Sequence, residues 1–353
     1  MGNLSEKVQL QMSHSKSKNR EAKRRTHLYN ASLTRQPTLE SFGFHICDKI
    51  GGNPAHAKLA SDTLDSRIPT CYPFVKWAGG KRQLLWQLYP LAPVKFDGYI
   101  EPFLGGGTLF FNLISDKNKQ FTAYISDINP ELINSYIVVK DNVEKLIKLL
   151  TQYEIEYKKA SEEYYYNLRD NYSPTDNIQR AARFVALNRT CFNGLYRVNK
   201  DGKFNVPWGK YINPPICDSN NLLNVSVALS DSNVTIKVSD YKEMLLENAK
   251  EGDFIYLDPP YNPVSLTAYF TKYTANGFSN KEQEKLAEIY KQLDEIKCKV
   301  MLTNSNTPLV RQLYAPFANY IIEVDSKRAI NCKAAKREGH TDLIIRNYSH
   351  TTS

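Results

Sequence analysis

Histidine is missing from the whole stretch between Cys71 and Gly339; the six histidines sit at positions 14, 27, 45, 56, 340 and 350. Chemistry in that stretch therefore cannot use a histidine base or a histidine-ligated metal. The six cysteines, Cys47, Cys71, Cys191, Cys217, Cys298 and Cys332, show no C-x-x-C spacing. That excludes the patterns of a disulfide framework and of a zinc site, and predicts reduced thiols. No apolar run approaches the roughly 20 residues that cross a bilayer, and none near Met1 has the form of a secretory signal. These absences predict a soluble, intracellular protein with neither metal nor membrane partner.

What remains is a chain of 353 residues, long enough for one large domain or two modest ones. Lys and Arg total 46 against 37 Asp and Glu, a formal net charge of +9. A polyanionic partner fits that balance, which by itself does not say which one.

Residues 1–70 are polar and basic, as in "SHSKSKNREAKRRTHL", and carry no sustained hydrophobic period. They read as a disordered, solvated extension, with a DNA-binding arm or a targeting sequence as alternatives. From Tyr72 the texture becomes α/β. Strand-like runs "DGYIEPF", "FTAYISDI", "NVTIKVSD", "DFIYLDPP", "CKVMLTNSN" and "DLIIRNY" alternate with helical segments. Two helices show their starts: Asn129 caps and Pro130 fills the first turn of "NPELINSYIVVKDNVEKLIKLL", and Ser279 caps "SNKEQEKLAEIYKQLDEI". The alternation predicts a doubly wound, mostly parallel sheet built from residues 71–152 and 230–350. Residues 153–229 break it with an aromatic helix-like stretch and then a β-hairpin turning at Asn199-Lys200-Asp201-Gly202. This middle part reads as an insertion that carries specificity.

Four segments carry chemistry. In "YIEPFLGGGTLFFNL" a strand runs into Gly105-Gly106-Gly107 and a helix start, so a ligand can approach the backbone at the carboxyl end of a strand. It is no phosphate loop, because no Gly-Lys-Ser/Thr follows, and the dinucleotide pattern fails at Phe110. About twenty residues on, Asp127 ends a strand where nucleoside-binding α/β domains hold ribose hydroxyls; alone, it could equally be a cap or turn residue. "FVKWAGGKRQLL" puts Lys76, Trp77 and Lys81 around a glycine corner, suited to an adenine ring, a carboxylate or a phosphate, or simply to a helix entry with extended lysines. In "DPPY", Pro259 and Pro260 supply no amide donor, so the Asp258 carboxylate and the Pro259 carbonyl can face outward as acceptors beside the flat Tyr261 ring. Two acceptors next to an aromatic suit an amino group on a planar ring.

With "KWAGGK", "EPFLGGG", "DIN" and "LDPPY" in this order, the chain resembles the DNA adenine-N6 methyltransferases that use S-adenosylmethionine, of the D12 class and alpha group. "NRTCFNGLYRVNKDGKFNVPWGKY" and "DPPYNPVSLTAYFTKYTANGFS" are similar to the Dam-type deoxyadenosine methylases that modify GATC. The resemblance runs from about Phe74 to Asn347 and leaves out the first seventy residues. It implies a Rossmann-like methyltransferase fold, with 153–229 as the target-recognition domain. It implies that Trp77, Lys81, Phe103, Gly105, Gly107, Asp127 and Asp258 hold S-adenosylmethionine, and that Asp258, Pro259, Pro260 and Tyr261 form the catalytic tetrad around adenine N6. Lys76, Arg189, Phe192, Asn193, Leu195, Arg197, Asn199, Pro207 and Tyr211 would form the interface with double-stranded DNA. Phe192 stands where relatives place an intercalating aromatic. The resemblance further implies base flipping, a monomer, and a cytoplasmic, nucleoid-associated location in a prokaryotic or phage host. An RNA amino-methyltransferase and a catalytically idle DNA-binding protein are the rival readings.

Overall fold

The computed structural model describes residues 69–349 apart from 117, 232, 264–277 and 326–340. The extension expected over residues 1–70 lies almost wholly outside the described residues, as does most of the segment following the DPPY tetrad.

A 3-10 turn, Lys81–Gln83, leads into α1 (Leu85–Leu91), then β1 (Gly98–Glu101), α2 (Thr108–Ile114), β2 (Thr122–Asp127) and the long α3 (Pro130–Lys159). α4 (Ser161–Asp170), α5 (Asn177–Thr190), a 3-10 turn at Phe192–Gly194 and α6 (Ser219–Ser230) follow. The chain then returns to the sheet as β3 (Val234–Val238), α7 (Tyr241–Asn248), β4 (Phe254–Leu257), α8 (Asn280–Glu295), β5 (Lys299–Ser305), α9 (Pro308–Leu313), β6 (Ile321–Asp325) and β7 (Thr341–Arg346).

The seven strands lie in the order β3-β2-β1-β4-β5-β7-β6. β7 is antiparallel to both neighbours and the other pairings are parallel. Strand order reverses between β1 and β4, which opens a crevice at their carboxyl ends. β4 is buried at every position, as a central parallel strand covered on both faces requires. Its alternate residues Ile255 and Leu257 pack with Val300 and Leu302 against Leu286, Tyr290 and Leu293 of α8. Phe254 meets Tyr99, at 5.5 Å between ring centres, and Tyr99 stacks on Phe110 of α2 at 6.4 Å. Acids close three strands at one edge of the sheet: Glu101 ends β1, Asp127 ends β2, and Asp258 follows β4.

Asn129 caps α3 as the sequence predicts, its Oδ1 accepting from the amides of Glu131 (3.0 Å) and Leu132 (3.2 Å). The junction expected at 152/153 falls inside α3. The buried stripe Leu146, Leu150, Tyr153, Tyr157 continues across it, and the helix ends at Ala160 (φ −151, ψ 62). A bend within α3 sits at Asn142. The expected hairpin is reduced to a turn: Asn199 N–H donates to the Lys203 carbonyl (2.8 Å) and Asn205 N–H to that of Arg197 (3.0 Å). Single bridges, Val198 to Phe204 and Cys191 to Trp208, stand in place of regular strands. β6 was not expected from sequence. Among the described residues no helix is long and apolar enough to cross a membrane.

Candidate active site

The crevice between β1 and β4 widens into a cleft of about 2020 Å³, lined by Trp77–Lys81, Glu101–Gly107, Asp127, Asp240, Tyr241 and Asp258–Asn262 among others. Every residue expected at the cofactor or the catalytic tetrad lines it. So does Asn193, alone among the nine expected at the DNA interface.

The glycine loop is shaped by what it touches. Gly105 has φ +47, and a Cβ there would lie 2.6 Å from Cδ1 of the Trp77 indole. Its amide donates to Asp127 Oδ2 (3.0 Å), while Oδ1 accepts from Asn129 N–H (2.9 Å). Burial raises the Asp127 carboxyl above its usual value, and these amides pull it back. One wall of the cleft is aromatic: Phe103 stacks on Tyr241 at 5.0 Å and meets Phe278 edge-on at 6.0 Å. Sequence reading missed Tyr241 and Phe278; the only local signal is an aromatic following an acid at the end of "TIKVSDY".

Also lining the cleft, Lys81, 7% exposed, lies 2.6 Å from Asp258 Oδ1. Its Nζ also donates to Asp258 Oδ2 (2.7 Å) and to the Gly79 carbonyl (2.6 Å) and sits 4.6 Å from the centre of the Tyr261 ring. Burial pushes the Lys81 ammonium down, but the Asp258 charge, together with Tyr261 and the hydrogen bonds to both, outweighs it and holds the ammonium above its usual range. Burial likewise raises the Asp258 carboxyl, opposed by Lys81 and by Thr303, whose Oγ1 donates to Asp258 Oδ1 at 2.7 Å. The geometry is that of a directional ion pair. Thr303 was not found by sequence, because nothing in "CKVMLTNSN" marks one hydroxyl for this contact.

Glu101, also missed, is 2% exposed and accepts from the Tyr99 hydroxyl at 2.8 Å. Burial pushes its carboxyl up to about 8 from an ordinary 4.5, so it is mostly protonated at neutral pH. A raised carboxyl favours the folded state in full below 4.5, and that contribution is lost as pH rises through about 8. Denaturant unfolding of Glu101→Gln should show a flatter loss of stability across this window than the parent chain, by a few kcal/mol. An unchanged slope would exclude a buried, neutral Glu101.

The expected DNA-facing residues gather on the C-terminal end of α5 and the turns after it. Asn188 bolts Lys76 in place: its Oδ1 accepts from Lys76 N–H (2.7 Å), and its Nδ2 donates to the Lys76 carbonyl (2.6 Å) and to that of Gly194 (3.0 Å). The Lys76 ammonium lies 4.2 Å over the Tyr211 ring. A Cβ on Gly194 would lie 2.4 Å from that of Lys76, so only glycine permits this approach. Phe192, Asn193, Arg197, Asn199 and Pro207 are exposed, and Leu195 is half-buried. Asn193 has φ +54, strained backbone of the kind that clusters at functional sites. Arg197 donates to the Asn205 side chain (2.7 Å) and carbonyl (3.1 Å), and Asn199 Oδ1 accepts two amides of its own turn. Arg189 is turned inward, Nε (3.1 Å) and Nη2 (2.7 Å) both donating to the Phe74 carbonyl. Stacking of Trp77 on Tyr196, at 5.9 Å, joins these turns to the cleft.

Residues 77–330 match the family model described as D12 class N6 adenine-specific DNA methyltransferase. The "Type II methyltransferase M1.LlaDCHI" of Lactococcus lactis subsp. cremoris is 42% identical over 283 residues, 79% of this chain and 96% of that protein. The "Type II methyltransferase M.MjaIII" of Methanocaldococcus jannaschii is 44% identical over 291 residues, 78% and 99% of the two chains. The "DNA adenine methylase" of Escherichia coli (strain K12) is 33% identical over 273 residues, 77% and 93%. Motif order, strand order and these likenesses agree, and the chain belongs to the D12 class of N6 adenine-specific DNA methyltransferases, enzymes that take their methyl group from S-adenosylmethionine.

Proposed function

We propose that this enzyme methylates adenine N6 within duplex GATC, acting as a monomer on a base rotated out of the helix, in the compartment that holds the DNA. The observation that carries the reading is the acceptor pair at the end of β4. Asp258 is fixed there by Lys81 and Thr303, beside a proline carbonyl and the Tyr261 ring, in a cleft that Asn193 of the recognition turn also lines.

The cleft fits S-adenosylmethionine. Asp127 is a half-buried carboxylate fed by two amides, with lone pairs left for vicinal hydroxyls, and the stacked Phe103 and Tyr241 offer a flat apolar wall. Trp77, Gly105 and Gly107 would shape the pocket around it. When bound, S-adenosylmethionine supplies a methyl group activated by its sulfonium. The chain's own task is to prepare the nitrogen. The N6 lone pair of adenine is delocalised into the ring; acceptance of its two hydrogens by the Asp258 carboxylate and the Pro259 carbonyl favours a pyramidal nitrogen with a localised lone pair. Tyr261 stacks on the base, and Pro260 holds the turn. Extruding the base costs a few kcal/mol, which Phe192 offsets by filling the vacated stack.

Arg197 would read a guanine edge, while Leu195 and Pro207 would meet a thymine methyl. Lys76, Asn193 and Tyr211 would contact the duplex directly. Arg189 and Asn199, which also hold the frame through the Phe74 carbonyl and the amides of the turn, would join them. Labelled S-adenosylmethionine with duplexes containing GATC or a scrambled tetramer tests this. Label confined to the GATC duplex is expected; equal label on both, or label only at another adenine site, overturns GATC. Arg197→Ala is expected to relax discrimination at one guanine by about 1–3 kcal/mol, read as the ratio of kcat/KM for matched and substituted sites. Full discrimination in the variant would remove Arg197 from base reading.

A further inference from the structure

Consecutive prolines create a structural problem. Pro259 and Pro260 have no N–H, so the middle of the tetrad cannot be anchored through its own amides and is tethered through its carbonyls or its neighbours. In α8 the stripe Gln283, Leu286, Tyr290, Leu293 faces the core, and Gln283 is its single polar member, fully buried. Its Nε2 donates to the Pro260 carbonyl at 2.9 Å. Its Oε1 accepts from Asn304 Nδ2 (2.9 Å), and Asn304 Oδ1 accepts from Asn262 N–H (3.0 Å). The Asn262 side chain is itself held, its Oδ1 accepting from Thr307 Oγ1 (3.0 Å) and its Nδ2 donating to Asn280 Oδ1 (2.9 Å).

The polarity of this chain of bonds is forced. A proline carbonyl can only accept and a backbone N–H can only donate, so the two ends fix which way both amides point. The anchored groups, the Pro260 carbonyl and the Asn262 amide, bracket Tyr261. Tying down the Pro260 carbonyl leaves that of Pro259 as the backbone acceptor for the reacting amine. Both amides are fully buried, where a broken link would strand a polar group without water.

We propose that Gln283 is a positioning residue, acting with Asn304, that clamps the proline tetrad so that the Pro259 carbonyl and the Tyr261 ring face the target base. The proposal rests on the reading of Asp258 to Tyr261 as the catalytic tetrad. Gln283→Met keeps the volume and removes both polar links. Its single-turnover transfer rate at saturating cofactor should fall by about 10²-fold, the scale of a small misplacement at the reacting centre. Kd for duplex and for S-adenosylmethionine should both stay within about twofold, because these contacts lie elsewhere in the cleft and on the recognition turns. Gln283→Glu supplies a donor only when protonated, so its rate relative to the parent should recover as pH falls from about 8 to about 6. Transfer by Gln283→Met near the parent rate, a rate loss matched by equal losses of both affinities, or a Gln283→Glu profile parallel to the parent's would overturn the proposal. Where Gln283→Met does not fold, the Gln283→Glu profile decides alone. Failure of the tetrad reading is separate: it would show as activity retained by Asp258→Ala.

Discussion

Asp258→Ala should lower methyl transfer by a factor of about 10³ or more, because it deletes one of two groups that prepare the reacting nitrogen, while duplex affinity stays within about twofold. The second half of that expectation follows from the layout. Asp258 touches Lys81 and Thr303, whereas Phe192, Arg197 and Pro207 lie on turns stabilised by their own local bonds. The substitution has a further consequence inside the cleft, for it leaves a buried ammonium without its counter-ion. Breaking a buried pair from one side costs about 3–5 kcal/mol, so binding should be measured well below the variant's unfolding transition. Asp258→Asn separates charge from shape. It keeps one acceptor oxygen but turns the other into a donor facing Lys81, and it too should transfer slowly. A variant within tenfold of the parent would remove Asp258 from the chemistry, and joint loss of transfer and duplex binding would make it a structural residue.

Features held by local sequence were legible before the fold was known. Asn129 and Ser279 cap their helices through contacts two or three residues away, and the glycine loop and strand-ending acids follow from short patterns. The contacts that define the site are long-range: 177 residues separate Lys81 from Asp258, and 112 separate Lys76 from Asn188. Nothing local distinguishes Thr303 from other strand threonines or Gln283 from a surface glutamine until the helix stripe is drawn. Glu101 lies within a legible motif, but its neutrality depends on burial supplied by distant elements. Arg189 adds a contact that no local pattern announces: its Nε and Nη2 donate to the Phe74 carbonyl, 115 residues away. α3 outran its expected end because an apolar stripe carries no marker of a domain junction, and β6, an edge strand with little burial, left too weak a pattern to notice.

Lys81→Met should move the acid limb of the rate profile to higher pH. Lys81 is the strongest influence opposing the burial that raises the Asp258 carboxyl. Without it, Asp258 takes up a proton at a higher pH, and a protonated carboxyl presents a hydroxyl where the amine needs an acceptor. At neutral pH transfer should fall by about 10² or more and recover in part as pH rises and the carboxylate reforms. Lys81 is also expected at the cofactor, so the profile must be taken at saturating S-adenosylmethionine. If the loss were only one of cofactor affinity, saturation would restore the rate equally at every pH, and the acid limb would coincide with the parent's. Stability should turn with the same proton. In the parent, Lys81 is held above its usual value of 10.5, so its contribution is complete below 10.5 and fades only in strong alkali. In the variant, the unpaired Asp258 carboxylate opposes folding until protonated, so stability should increase as pH falls through its raised value toward the ordinary 3.8. A variant whose stability and rate both follow the parent's pH dependence would show that Asp258 does not need Lys81 to stay ionised.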